Sequence, residues 1–208
     1  MRAQLLGKTP DELKEIALKA GLPAFAGKQL AQWLYVRKVR GIDEMTNISK
    51  VGRERLKEEY SLGLTLPSAC QVSSDGTKKY LFPVGEGNAV EAVMIPDEER
   101  KTLCVSSQAG CRMGCRFCMT GRQGFHGNLS TAEILSQFIG IDEAGGLTNA
   151  VFMGMGEPLD NLDNVLRAIE VLTADWGFGW SPKRITVSTV GLIPGMKRFL
   201  DESKCNLA

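Results

Sequence analysis

The chain has 208 residues, 43% hydrophobic and 24% charged, an ordinary globular composition that can bury a substantial core in one domain or two. Its 25 Lys and Arg against 24 Asp and Glu leave a formal net charge of +1, which excludes a nucleic-acid binder of the strongly basic, polybasic-tail kind. No stretch approaches the roughly 18 consecutive apolar residues of a membrane span, and the opening MRAQLLGKTP has no apolar core of signal-peptide length, so the expectation is a cytoplasmic protein with no membrane partner.

Taken in chain order, Thr9-Pro10-Asp11-Glu12 sets out an N-cap, a proline at the first helical position and a capping-box acid. Leu13, Ile16, Ala17 and Ala20 follow at helical spacing, and Gly21 ends the run. A second helix is expected over residues 28–40, with Leu30, Trp33 and Leu34 as its apolar stripe, and a third over residues 49–60. Residues 1–62 therefore read as a small helical domain. The first 60 residues hold 12 Lys/Arg and 8 Asp/Glu, a balance of +4, and the rest carries −3. Within residues 28–57 there are 8 basic residues and 3 acidic ones, so Lys28, Arg37, Lys38, Arg40, Lys50, Arg53, Arg55 and Lys57 are candidates for facing phosphates. Trp33 and Tyr35 stand nearby as stacking partners. The plainer alternative is an ordinary solvated helix face with Trp33 inside its apolar stripe.

From Cys70 the texture changes to alternation and turns. Ser74-Asp75-Gly76 and Gly85-Glu86-Gly87-Asn88 bound short runs over 79–84 and 89–95, which read as a β-hairpin linker spanning 63–100. After Pro96 short apolar strands at 102–106, 150–153 and 184–189 alternate with helices. Ser130-Thr131-Ala132-Glu133 is a capping box ahead of Ile134, Leu135, Phe138 and Ile139, and Leu162, Val165, Leu166, Ile169 and Leu172 form the next stripe. Strands alternating with helices give the fold class α/β: a partial parallel βα barrel over 101–208, with chemistry at the carboxyl ends of its strands. The last residues, Asn206-Leu207-Ala208, fall where a fourth strand begins, so the barrel is expected to be truncated. An exposed sheet edge would then favour pairing with another chain. The oligomeric state is not legible.

Three of the six cysteines crowd into Cys111-Arg-Met-Gly-Cys115-Arg-Phe-Cys118, a C-x₃-C-x₂-C spacing on a glycine-bearing loop after the first parallel strand. Three thiolates can hold three irons of a cubane and leave the fourth open for a ligand. The rival is a closed zinc site completed by His126, the single histidine, in a non-enzymatic RNA-binding module. Phe117 supplies an apolar face beside the thiols or a plain core aromatic. Gly154-Met-Gly156-Glu157 follows the second strand; without Cβ atoms its backbone can approach a ligand closely, and the Glu157 carboxylate offers an acceptor. A dinucleotide-binding reading fails because Leu159 stands where the third glycine belongs. A tight turn into the following helix is the bland alternative.

These motifs resemble the radical S-adenosylmethionine (SAM) superfamily, and within it the RlmN/Cfr type of RNA methyltransferase. The resemblance is carried by Leu103-Cys-Val-Ser-Ser-Gln-Ala-Gly-Cys111, Phe117-Cys-Met-Thr, Gly124-Phe125, Met153-Gly-Met-Gly-Glu-Pro-Leu159 and Val187-Ser-Thr. It implies a 4Fe-4S cluster on Cys111, Cys115 and Cys118, and SAM chelated to the open iron, with Gly156, Glu157 and Ser188 contacting it. One electron from a low-potential donor such as flavodoxin then cleaves SAM to a 5′-deoxyadenosyl radical. The implied substrates are 23S rRNA and tRNA, methylated at C2 of adenine; methylation at C8 of the same base is the alternative within the family. Glu91 resembles the family's acid/base glutamate, although a solvated strand carboxylate is the default for its position. Cys104 resembles the cysteine that frees the RNA by forming a disulfide with a methyl-carrying cysteine; a small buried core thiol is the default. The methyl carrier is expected to lie in a C-terminal segment that this sequence does not contain, since neither Cys70 nor Cys205 has the matching context.

Overall fold

The computed structural model describes residues 2–85 and 87–208. Contacts sort the chain into two compact units, one formed by the residues through Leu64 together with Glu170–Trp180, the other by Thr65–Ile169 and Ser181–Ala208.

The first unit begins with a short strand, β1 (Ala3–Gln4), and helix α1 (Pro10–Lys19). The capping box forms as the residues dictate: the Glu12 amide donates to Thr9 Oγ1 and the Thr9 amide to Glu12 Oε2, at 3.3 and 2.7 Å. The helix expected over 28–40 is shorter and irregular. Regular α2 (Ala26–Ala31) passes into a π-helical turn at Gln32–Val36. The reason lies in three consecutive buried side chains, Trp33, Leu34 and Tyr35. The wider π turn rotates less per residue than an α-helix and so brings these three neighbours closer to one face. Tyr35 is fixed there by its hydroxyl, which donates to the Lys8 carbonyl at 2.6 Å and accepts from the Gly7 amide at 3.1 Å. Helix α3 (Lys50–Glu59) starts at Ser49, whose hydroxyl accepts from the Gly52 amide, and runs into β2 (Tyr60–Ser61), which pairs in parallel with β1. That pairing is an addition to the all-helical expectation.

The second unit holds, among the described residues, a seven-stranded sheet. Strands β3 (Ala69–Val72), β4 (Lys78–Val84), β5 (Asn88–Asp97) and β6 (Arg100–Cys104) form an antiparallel meander. The stretch read as a linker thus contributes three strands to the sheet itself. Of the turn expected between the two runs, Glu86 lies outside the described residues. A small antiparallel hairpin follows, β7 (Gln108–Gly110) and β8 (Phe125–Asn128), with helix α4 (Met119–Arg122) between its strands. Helix α5 (Thr131–Ile139) carries the expected capping box on Ser130 and Glu133. Strand β9 (Asn149–Phe152), helix α6 (Leu162–Thr173) up to Ile169, strand β10 (Ile185–Val187), helix α7 (Ile193–Glu202) and strand β11 (Asn206–Leu207) complete the unit. The sheet order is β11-β10-β9-β6-β5-β4-β3, parallel from β6 to β11, as crossover βα units require.

Alternation divides the sheet into two faces. One carries Tyr80, Phe82, Val90, Ala92, Met94, Leu103, Ala150, Phe152, Ile185 and Val187, all buried, as are Ile134, Leu135 and Phe138 of α5 and Phe199 of α7. Across the strands the register aligns Leu81 with Glu91, Val93 with Cys104, Cys104 with Val151, and Val151 with Thr186 on the other face. That second face is half-open: each of these residues is intermediate or exposed.

Candidate metal centre and active site

The three clustered cysteines stand at the tip of the β7/β8 hairpin rather than directly after the sheet strand. The Cys111 amide donates to the Gly124 carbonyl at 3.0 Å and closes the hairpin neck, and the Cys118 amide donates to the Cys115 carbonyl at 3.0 Å. The Met113 amide points at Cys111 Sγ, 3.5 Å away. Cys118 opens α4, and the backbone N–H of Gly121, with help from Thr120, holds its thiol below the ordinary cysteine range. Amide donors aimed at sulfur favour the thiolate, the form that binds metal. Soft thiolates with such donors fit an iron–sulfur cluster.

The zinc alternative asks these cysteines and His126 to converge on one ion. Among the described residues no three His, Cys, Asp or Glu side chains converge in that way. His126 Nε2 lies instead 3.0 Å from the Gln123 carbonyl. Cys111, Cys115 and Cys118 are not gathered into such a group either, so it is the all-thiolate donor set at C-x₃-C-x₂-C spacing that fits iron–sulfur. Phe117 is 91% exposed, so the core-aromatic alternative for it is overturned.

Behind the tip stands a buried polar scaffold that the sequence reading missed. Gln108 Nε2 donates to Asn128 Oδ1 at 2.8 Å and Asp160 Oδ2 at 2.7 Å, and its Oε1 accepts from the Glu157 amide at 2.9 Å. Gln137, from α5, brackets Ser106 by accepting from its amide and donating to its carbonyl, each at 2.9 Å. Asn161 donates to the carbonyls of Ser107 and Leu129. Arg112 lies over the Phe125 ring, 3.8 Å from its centroid, and 3.7 Å from Asp160. The Ser107 hydroxyl is buried without a partner. The signal for these residues was weak because each hydrogen-bond partner sits far along the chain.

Gly154 and Gly156 have a packing reason visible in the fold. A Cβ on Gly154 would stand 2.7 Å from Ser106 Oγ, and one on Gly156, at φ +97°, 2.5 Å from Gln108 Cβ. Glu157 is 3% exposed; its carboxylate accepts from the Leu159 amide, from Thr189 Oγ1 at 2.6 Å and from the Val190 amide at 3.0 Å. It thereby ties the loop after β9 to the loop after β10. Ser188 follows β10 directly and is half-buried, its amide 3.3 Å from the Phe152 carbonyl.

Glu91 and Cys104 share the half-open face of the sheet. The Glu91 carboxylate pairs with Lys79 Nζ at 3.0 Å across β4 and β5, and its carbonyl accepts from Ser106 Oγ at 2.6 Å. Cys104 is half-buried, and that burial pushes its thiol above the ordinary range.

In the first unit the stacking partners expected at Trp33 and Tyr35 are closed to a ligand by burial. Trp33 is 7% exposed with its Nε1 donating to Asn47 Oδ1, and Tyr35 is fully buried. Several of the basic residues are likewise engaged: Lys57 pairs with Asp43 and Glu54, Arg53 donates to the Met45 and Ile48 carbonyls, Arg37 lies over the Trp33 ring, and Lys38 lies over the Phe178 ring.

The sequence matches the family model described as Radical SAM superfamily over residues 105–206, and that described as Ribosomal RNA large subunit methyltransferase N-terminal domain over residues 3–62. A relative from Porphyromonas gingivalis named probable dual-specificity RNA methyltransferase RlmN is 62% identical over 98% of this chain and 60% of its own length. One from Phocaeicola vulgatus with the same name is 58% identical over 100% of this chain and 59% of its own. A dual-specificity RNA methyltransferase RlmN from Geobacter sulfurreducens is 45% identical over 97% of this chain and 56% of its own. The crystal structure of a radical SAM methyltransferase from Sphaerobacter thermophilus superposes with a TM-score of 0.92 at 35% identity, over 99% of this chain and 62% of that one. The chain spans about three fifths of the length of the curated relatives it matches.

Proposed function

We propose, for a chain that belongs to the radical SAM superfamily and joins to it an RlmN-type N-terminal domain, that it is the N-terminal and first-half catalytic portion of a SAM-dependent RNA methyltransferase acting at C2 of adenine in 23S rRNA and tRNA. One observation carries the reading. The strand register puts Glu91 and Cys104 on the same half-open face, and the chain leaves that face at Cys104 to reach the cysteine-bearing tip.

Cys111, Cys115 and Cys118 would hold the 4Fe-4S cluster, which with SAM supplies one-electron chemistry and a hydrogen-abstracting radical. The chain's own residues supply position and proton transfer. Gln108, Gln137 and Asn161 fix the segment leading into the hairpin, so the tip is presented from a rigid base. Gly156 lets that loop lie against Gln108, and Ser188 offers a hydroxyl at the neighbouring strand end. Glu157 has three protein donors on about four lone-pair sites, which leaves one site on its carboxylate for an ammonium. Glu91 takes the proton from the adenine carbon, with Lys79 holding its carboxylate across the strands. Cys104 frees the RNA by displacement on a carrier cysteine supplied from outside these 208 residues: its thiolate attacks the carrier sulfur, the bond from that sulfur to the adenine-bound carbon breaks, and the electron pair left on that carbon takes a proton to complete the methyl group. The setting is the cytoplasm, with a low-potential donor such as flavodoxin.

Anaerobic reconstitution with iron and sulfide, then electron paramagnetic resonance of the dithionite-reduced chain, tests the reading. The expected result is a cubane signal that shifts when SAM is added. A chain that takes up no cluster, or whose signal ignores SAM, overturns it.

A further inference from the structure

Within the first unit a cavity of about 410 Å³ opens beside the π-helical turn, inside the range of ~300–1,000 Å³ typical of small-ligand sites. Its walls are the apolar faces of Ala31, Val36 and Trp176, and its rim carries Lys28, Gln32 and Asp175. Lys28, Gln32 and Val36 recur every fourth residue and are exposed, so one flank of the cavity is a single outward helix face.

Three features distinguish this cavity from a packing gap. Trp176 is held in place from the protein side: its ring meets Tyr35 at 5.5 Å with a 58° tilt, and Tyr35 is itself buried and hydrogen-bonded at its hydroxyl. Among the described residues the rim groups Lys28, Gln32 and Asp175 make no side-chain hydrogen bond or ion pair, so a cation, an amide and a carboxylate all remain available at one mouth. The wall is formed by a π-helical turn, a local departure from the α-helix that recurs at functional sites.

The chemistry of the lining selects the occupant. An aromatic ring facing aliphatic carbon accepts a flat ring between them; a carboxylate and an amide read an edge that presents both donors and acceptors; an ammonium takes a phosphate. An apolar peptide side chain would leave Asp175 and Lys28 unanswered. Of the eight basic residues over 28–57, Lys28, Arg40, Lys50 and Arg55 make no side-chain ion pair or ring contact among the described residues, and they add charge complementary to a polyanion. We propose that this slot takes one unstacked nucleobase of an RNA, stacked on Trp176 and read by Gln32 and Asp175, with a neighbouring phosphate on Lys28. The inference rests on the RNA-directed reading above and places a recognition site away from the chemistry.

The test titrates the 208-residue chain with two fluorescein-labelled RNAs of equal length, a hairpin with an unpaired loop and a fully paired duplex. Trp176→Leu is expected to weaken loop-RNA binding by about tenfold or more, the range for loss of one stacked base, and to leave duplex binding unchanged. Val36→Asp, at a position 58% exposed and thus tolerant of change, is expected to do the same with circular dichroism unaltered. Lys28→Ala is expected to reduce the salt dependence of loop-RNA affinity by about one counterion contact, a slope change of ~0.7. If both slot variants are folded and bind loop RNA like the parent, the slot is overturned and left to a protein segment, while the RNA reading stands. Equal losses for loop and duplex also overturn the slot. If the parent binds neither RNA, the RNA reading itself fails.

Discussion

Three hydrogen bonds meet on the fully buried Gln108 side chain, joining Asn128, Asp160 and the Glu157 amide. Gln108→Leu keeps the volume and strands the Glu157 N–H, and a buried donor left unpaired costs about 1–3 kcal/mol. With the two lost acceptor contacts the unfolding free energy is expected to fall by about 2–4 kcal/mol in urea titrations; an unchanged midpoint would show that Gln108 does not hold this base together. Phe117 is the opposite case. Nine-tenths of its surface is open, so Phe117→Ser is expected to shift stability by no more than about 0.5 kcal/mol, while reducing the effect of SAM on the reduced-cluster spectrum. A large stability loss would mean that the ring packs against protein after all.

At the scale of elements, strand β4 is fastened to the turn after α5 by one carboxylate. Tyr80 donates to Glu143 Oε2 at 2.6 Å, and Lys78 pairs with the other oxygen of that group. Burial pushes the Glu143 carboxyl up, but the hydrogen bonds from Lys78 and Tyr80 outweigh it and hold the group below its ordinary value of 4.5. A carboxyl depressed in the folded state contributes stability that is present above the unfolded value and is lost as pH falls through the folded one. Stability is therefore expected to decline as pH drops below about 4.5, and Glu143→Gln to flatten that decline; equal pH profiles for the two proteins by thermal melting would remove the assignment. The elements differ in how plainly they could be read. Thr9 with Glu12 and Ser130 with Glu133 announce their helices because each signal is complete within four residues. The π-helical turn at Gln32–Val36 was not legible, since the burial of Trp33, Leu34 and Tyr35 that accompanies it depends on distant parts of the chain, such as the Gly7 and Lys8 backbone that the Tyr35 hydroxyl reaches. For the same reason Cys111, Cys115 and Cys118 stood out by spacing, whereas Gln137 and Asn161 looked like ordinary polar residues on helices; their partners, Ser106, Ser107 and Leu129, lie some 30 to 50 residues away.

For the whole molecule, parallel strands and crossover helices were legible, while the membership of the 69–97 strands in the same sheet was not. Alternation marks a strand but does not say which neighbour it pairs with. That sheet changes character at β6, which is antiparallel to β5 on one side and parallel to β9 on the other. The change has a kinetic meaning. Strands β3 to β6 are joined by short turns, so their pairing closes small loops, whereas β9 reaches β6 only after the hairpin and α5 have been traversed. Loop closure favours the short-range pairs, and contacts of low sequence separation form first. The meander is thus expected to assemble early and to serve as the template on which the parallel half docks. In stopped-flow refolding, Ala92→Gly in β5 should slow folding, and Ala150→Gly in β9 should mainly speed unfolding; the reverse pattern would place the nucleus in the parallel half. During synthesis this order follows the direction of the chain, so the strand that leads toward the cysteines already has a partner before the residues that brace the hairpin have been made.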